Sequence, residues 1–201
     1  MSLVCALLLT LGQPLAARSG PTSGAPPRAE PALVRVLSGR VTLVEGEEIR
    51  SLSRGSAPRR VVGPAFLEGG PGSEFELSAP GMVSLRLYGP TRLEWNPERG
   101  SPLEPFFHLD RVGRLELEVR RGRPTLLLPQ AWKLRLRGGA IQVRELSSGE
   151  LVVRHHGGAA VDVESLVKRP GAAPHSILAG QRVRLPALAP EGERWPGRSS
   201  K

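Results

Sequence analysis

Apolar and polar residues alternate with a period of two along most of the chain from Leu33 onward. Val83-Ser84-Leu85-Arg86-Leu87, Leu115-Glu116-Leu117-Glu118-Val119, Leu134-Arg135-Leu136-Arg137 and Ala160-Val161-Asp162-Val163-Glu164 are the clearest runs. A period of two turns successive side chains to opposite faces, so each run buries one face and wets the other, as half-buried antiparallel strands do. The same reading predicts strands at Val34–Leu37, Arg40–Val44, Phe75–Ser78, Thr91–Trp95, Thr125–Leu128, Ile141–Arg144, Leu151–Arg154 and Arg182–Leu185. Turn signals stand between them: Ser38-Gly39, Pro80-Gly81, Gly89-Pro90, Arg121-Gly122, Gly138-Gly139, Ser148-Gly149 and Gly157-Gly158. No window of helix length carries an apolar stripe at helical period. About a dozen short, mostly antiparallel strands predict an all-β body, a sandwich, barrel or irregular β-solenoid.

Composition agrees with short elements. Gly (24) and Pro (20) together make up about a fifth of the 201 residues, against a usual share of roughly 12%. The ends read differently from the body. Met1–Ala17 holds an apolar run, Leu3 to Leu11, then the breaker Pro14 and the small pair Ala16-Ala17 before Arg18, the order of a secretory signal peptide. Residues 18–32 are rich in Pro, Gly, Ser and Ala and predict a flexible tether. The body is expected over 33–186. The breakers Pro190, Gly192, Pro196 and Gly197 predict an irregular, basic tail over 187–201. The single cysteine, Cys5, lies inside the expected signal segment and excludes a disulfide framework or a Cys-rich zinc site.

The net charge is +9, which raises nucleic acid or an anionic surface as a partner. Its distribution weakens that idea. Leu33 to Glu164 carries 19 basic and 16 acidic residues, whereas Ser165 to Lys201 carries 7 and 2. No aromatic-rich basic strand pair of the kind that stacks bases is present, so no specific nucleic acid is expected. The C-terminal tail offers a weak, salt-sensitive contact with anionic membrane or polymer. Within the body, Glu116 and Glu118 share one strand face and Lys133, Arg135 and Arg137 another. If those two strands pair, the rows form a solvated ion-pair surface.

Candidate chemistry is sparse. Of the four histidines, His155 and His156 are adjacent and point to opposite faces of a strand, a poor metal chelate. No Gly-x-Ser-x-Gly elbow and no phosphate-binding loop before a helix occurs. His108 and Asp110 share a strand face and make the one hint of a hydrolytic pair; they define the alternative reading, a small β-sandwich hydrolase or carbohydrate-active enzyme, whereas Glu116 and Glu118, on an exposed face without flanking aromatics, do not read as a glycosidase pair. The leading expectation assigns no catalytic, cofactor-binding or metal-ligating residue and no cofactor.

A series of motifs carries a resemblance. Val36-Leu37-Ser38-Gly39-Arg40-Val41-Thr42-Leu43, Gly72 to Leu77, Gly81 to Leu87, Gly89-Pro90-Thr91-Arg92-Leu93-Glu94, Val112 to Leu117, Pro129-Gln130-Ala131 with Gly138-Gly139, and Leu178-Ala179-Gly180-Gln181-Arg182-Val183 follow one another in the order seen in FecR-type domains. The resemblance spans roughly Leu33 to Pro186. It implies a β domain on the outer side of the bacterial inner membrane, of a family whose best-understood members pass a signal from an outer-membrane receptor to a cytoplasmic sigma factor. The apolar segment is expected to open the chain, without the helical cytoplasmic portion that such transducers place before theirs. The sequence therefore predicts an exported, periplasmic or extracellular, non-enzymatic module that contacts an envelope protein or cell-wall polymer, in signalling or envelope regulation.

Overall fold

The computed structural model describes residues 31–79, 81–99, 101, 103–167 and 174–187. The expected signal segment 1–17, the tether 18–32 up to its last two residues, and the tail 187–201 beyond its first residue lie outside the described residues. The body is all-β. Among the described residues fifteen strands follow in order: β1 (Ala32–Ser38), β2 (Arg40–Glu45), β3 (Glu48–Ser53), β4 (Arg59–Val61), β5 (Ala65–Gly69), β6 (Glu74–Ala79), β7 (Val83–Trp95), β8 (Phe106–Val119), β9 (Thr125–Leu128), β10 (Trp132–Arg135), β11 (Gly139–Glu145), β12 (Leu151–Gly157), β13 (Val161–Ser165), β14 (His175–Ile177) and β15 (Arg182–Leu185).

The ladders form one connected sheet that folds over on itself. The hinge is the β7–β8 pair, 13 and 14 residues long, each bent in its middle. Before the bend of β7 the order is β4-β1-β6-β7-β8-β11-β12-β15; beyond it the order is β3-β2-β5-β7-β8-β9-β10-β13-β14. Strands that pass from one layer to the other are how a sandwich turns its corners. The inner faces of both layers join in a single apolar cluster in which Phe75, Leu85, Leu87 and Leu115 of the first layer and Leu43, Leu67, Leu93 and Phe107 of the second are fully buried. Each such side chain contributes about 1.5–3 kcal/mol.

Gly89-Pro90, read from sequence as a turn between two strands, is instead the bend within β7. Tyr88 pairs with Arg114 and Thr91 with Val112, so Gly89 and Pro90 together oppose the lone Gly113, a β-bulge. A second shift between Arg92 and Leu93 leaves Asp110 as an extra residue on β8, and it resets the alternation: Leu109 and Val112 both face the core. Because β8 ends in the first layer, the chain leaving it crosses back and lays β9 parallel to the start of β8, the one parallel pair among the described strands.

Among the described strands every pairing except β7–β8 stays within one half of the chain, β1–β7 or β8–β15. Each half contributes strands to both layers. The β7–β8 ladder is the seam between them.

Candidate functional site

The outer face of the first layer carries a cross-strand row: Arg35, Glu76, Arg86, Glu116, Gln142, Arg154 and Arg182. Its centre is a polar network. Tyr88 lies between two guanidinium groups, Arg86 at 5.4 Å and Arg114 at 4.8 Å from its ring centre. The Tyr88 hydroxyl donates to Glu116 at 2.9 Å, Gln142 Nε2 donates to the same carboxylate at 3.1 Å, and Arg114 pairs with it. Partial burial pushes the Glu116 carboxyl up, but the hydrogen bonds from Arg114, Tyr88 and Gln142 outweigh it and hold the group below the usual carboxylate range. Tyr88 is pushed up, first by burial and then by donating to a carboxylate. Arg86 is held in its charged form by Glu74.

Glu116 and Glu118 do not face Lys133 and Arg135, as the sequence suggested. Their strand pairs with β7 and β11, while β10 lies in the other layer between β9 and β13. The basic row finds other acids: Lys133 and Arg135 approach Glu164 at 3.8 Å each, and Arg137 approaches Asp162 at 3.4 Å. The solvated ion-pair surface is present, with different partners.

His108 and Asp110 do share a face and do meet. His108 Nε2 lies 3.2 Å from Asp110 Oδ1, and Nδ1 lies 3.1 Å from Glu94 Oε2 on β7. The cluster stands on the outer face of the second layer, with the histidine and Asp110 side chains 33% and 48% exposed. Arg92 and Arg99 flank its carboxylates. Among the described residues the imidazole touches these two carboxylates and no hydroxyl nucleophile.

His155 and His156 point to opposite faces, as strand period requires. His156 is exposed; His155 is fully buried and pins the layers together, with Nδ1 3.2 Å from the Ile177 carbonyl on β14 and Nε2 2.9 Å from that of Gly157. Among the described residues no group of His, Cys, Asp and Glu is placed to hold a metal ion.

Two surfaces were not read from the sequence. One is the edge strand β3. It pairs only with β2 among the described strands, gives the core only Leu52, and exposes Ile49 to 71%. Ile49, Val44 and Phe66 stand side by side on the outer face of β3, β2 and β5, an apolar patch at the sheet edge. The β2–β3 connection is the two-residue loop Gly46-Glu47, with Gly46 at φ 59°. A Gly-first two-residue loop is a hairpin signal that the sequence did offer. The other surface is the far end of the first layer, where Arg154 and Arg182 are direct cross-strand partners and Arg144 and Arg184 lie in the adjacent row. The strands were legible there; their pairing was not.

No protein-family model matches the chain, and no curated protein matches it. Among solved structures it is similar over part of its length to a crystal structure described as a "putative anti-sigma factor" from Parabacteroides distasonis, at 12% identity and a TM-score of 0.47. The likeness covers 62% of this chain and 60% of that one, so the chain spans about three fifths of that structure's length.

Proposed function

We propose that this protein is an exported, non-enzymatic, FecR-like β domain of the bacterial cell envelope that works by contact with another envelope protein in signalling or envelope regulation. The signal-like segment 1–17 supports export, and the ordered motifs from Leu33 to Pro186 support the FecR-like reading. The observation that carries contact as the mode of action is the β3 edge. Among the described strands its backbone pairs on one side only, its own charges Glu48 and Arg50 neutralise each other, and Ile49 continues an apolar patch through Val44 to Phe66. An exposed edge without repelling charge is a template for another strand. The occupant that fits is an extended segment of a partner protein, adding to β3 through main-chain hydrogen bonds and seating an apolar side chain beside Ile49.

The test has two readouts in the protein's own host. Cell fractionation with N-terminal sequencing is expected to give a soluble exported chain beginning near Arg18; an intact Met1 in the membrane fraction would overturn the free module and restore a transducer. A photo-cross-linking residue at position 49 is expected to trap one envelope protein, and the same residue at position 35, on the first layer's outer face, to trap none. Cross-linking at 35 and not at 49 would overturn the assignment to this edge.

A further inference from the structure

Across the first layer's outer face, charge alternates as far as Glu116 and then stops alternating. Arg35 faces Glu76, Glu76 faces Arg86, and Arg86 faces Glu116, but beyond Gln142 come Arg154 and Arg182 directly opposite each other. The next row runs Arg144, Val152, Arg184. All four arginines are exposed, and none has an ion pair or a side-chain hydrogen bond among the described residues. Like charges directly opposite on neighbouring strands weaken a sheet. Gln142 brings no relief, since its amide is turned away to Glu116. A stretch that forgoes local stability for unneutralised charge on a folded face is the signature of a binding surface.

Three of the arginines, Arg144, Arg154 and Arg182, line a groove of about 450 Å³ together with the apolar Leu146 and Val152, and Arg184 stands beside it on β15. Three observations select the ligand. The cations are all guanidinium groups, whose planar forks match phosphate oxygens two at a time. Arg182 and Arg184 are two residues apart on β15, so their side chains leave the strand about 7 Å apart, a spacing that suits successive phosphates of an extended phosphodiester chain. Among the described residues no aromatic side chain lines the groove, so bases have nothing to stack on. We infer that the β11–β12–β15 face binds a linear, non-nucleic phosphodiester polymer, lying in the groove with phosphates on Arg144, Arg154 and Arg182 and running on past it to Arg184. A concave groove receives a chain and not the plane of a bilayer. The basic excess of the C-terminal end is thus partly a property of the folded face: Arg182 and Arg184 sit in a strand, not in a tail.

The purified full-length chain is titrated with synthetic poly(glycerol phosphate). Four phosphate contacts predict an affinity that falls about 50-fold between about 50 and 200 mM salt, with a log–log slope near −3. Arg182→Glu places an acid opposite Arg154; it is expected to abolish binding while leaving Tm equal or raised by about 1–3 °C. Arg35→Gln, at the other end of the same face, and a chain with Arg194, Arg198 and Lys201 all changed to Gln are each expected to bind as the parent does. Unimpaired binding by Arg182→Glu, or loss with the tail variant, overturns the site. Equal or tighter binding to polyglutamate, single-stranded DNA or anionic vesicles overturns the ligand class. No binding to the polymer overturns the inference outright. The assay does not involve β3, so its outcome leaves the protein-contact reading where it stood.

Discussion

Glu116 is the residue at which three strands of the first layer are tied by side chains: it accepts from Tyr88 on β7, from Arg114 on its own strand β8 and from Gln142 on β11. These contacts favour the carboxylate, so its folded pKa lies below the unfolded value of about 4.3. The stability they supply is complete above the unfolded pKa and is lost as pH falls through the folded one. Replacing Glu116 with Gln is therefore expected to lower Tm near neutral pH, with the gap to the parent closing below about pH 4. A gap of constant size from pH 7 to pH 3 would mean that Glu116 acts through packing alone. Tyr88 stays a neutral donor throughout that range, because burial and its carboxylate partner both push its own titration upward. Arg114 contributes twice, as ion-pair partner of Glu116 and as a cation over the Tyr88 ring.

At the scale of elements, the bends in β7 and β8 decide the architecture, and one glycine makes them compatible. A Cβ on Gly113 would lie 2.7 Å from the Tyr88 carbonyl oxygen and 3.3 Å from the Pro90 ring. Gly113→Ala must push the two strands apart at the corner, a change expected to destabilise the fold by about 1–3 kcal/mol. A urea midpoint equal to the parent's would show that the corner has slack. This region also shows where sequence reading stops. Alternation revealed both arms of β7, since its buried positions stay in phase from Val83 to Trp95. It did not reveal that Gly89-Pro90 joins them, because Gly-Pro signals a turn and a bulge equally well. The first arm of β8 was read only as the strand face shared by His108 and Asp110, because the extra residue Asp110 puts Leu109 and Val112 out of phase. β3 escaped because neither of its faces is mostly buried, so it has no pattern to show. The candidate surfaces had the same fate for another reason. Arg154 and Arg182 are legible as outward residues of two strands, but what makes them a site is that β12 pairs with β15, and pairing is non-local.

For the whole molecule, the controlling fact is the seam. Both layers are shared by both halves, and among the described strands only the β7–β8 ladder crosses between the halves. Along it lie Trp95 against Phe107, with ring centres 5.2 Å apart, and Glu94 against His108. Neither half closes its own core: Leu85, Leu87 and Leu93 on one side and Leu115, Leu117 and Leu109 on the other are paired across the seam. Cleavage at a protease site inserted within 97–104 is therefore expected to leave two fragments that co-elute with the parent's β-sheet circular dichroism, and that lose it together once separated in denaturant. Fragments that separate in native buffer would show that each half stands alone. The same geometry sets a liability for the intact chain. If the segment 96–105 opens, β7 of one copy can take β8 of another by the register it already uses, and the result is an exchanged dimer that needs no surface beyond the one inside the monomer. Shortening that connection would favour exchange, and concentrated, slowly refolded preparations are where the doubled species belongs.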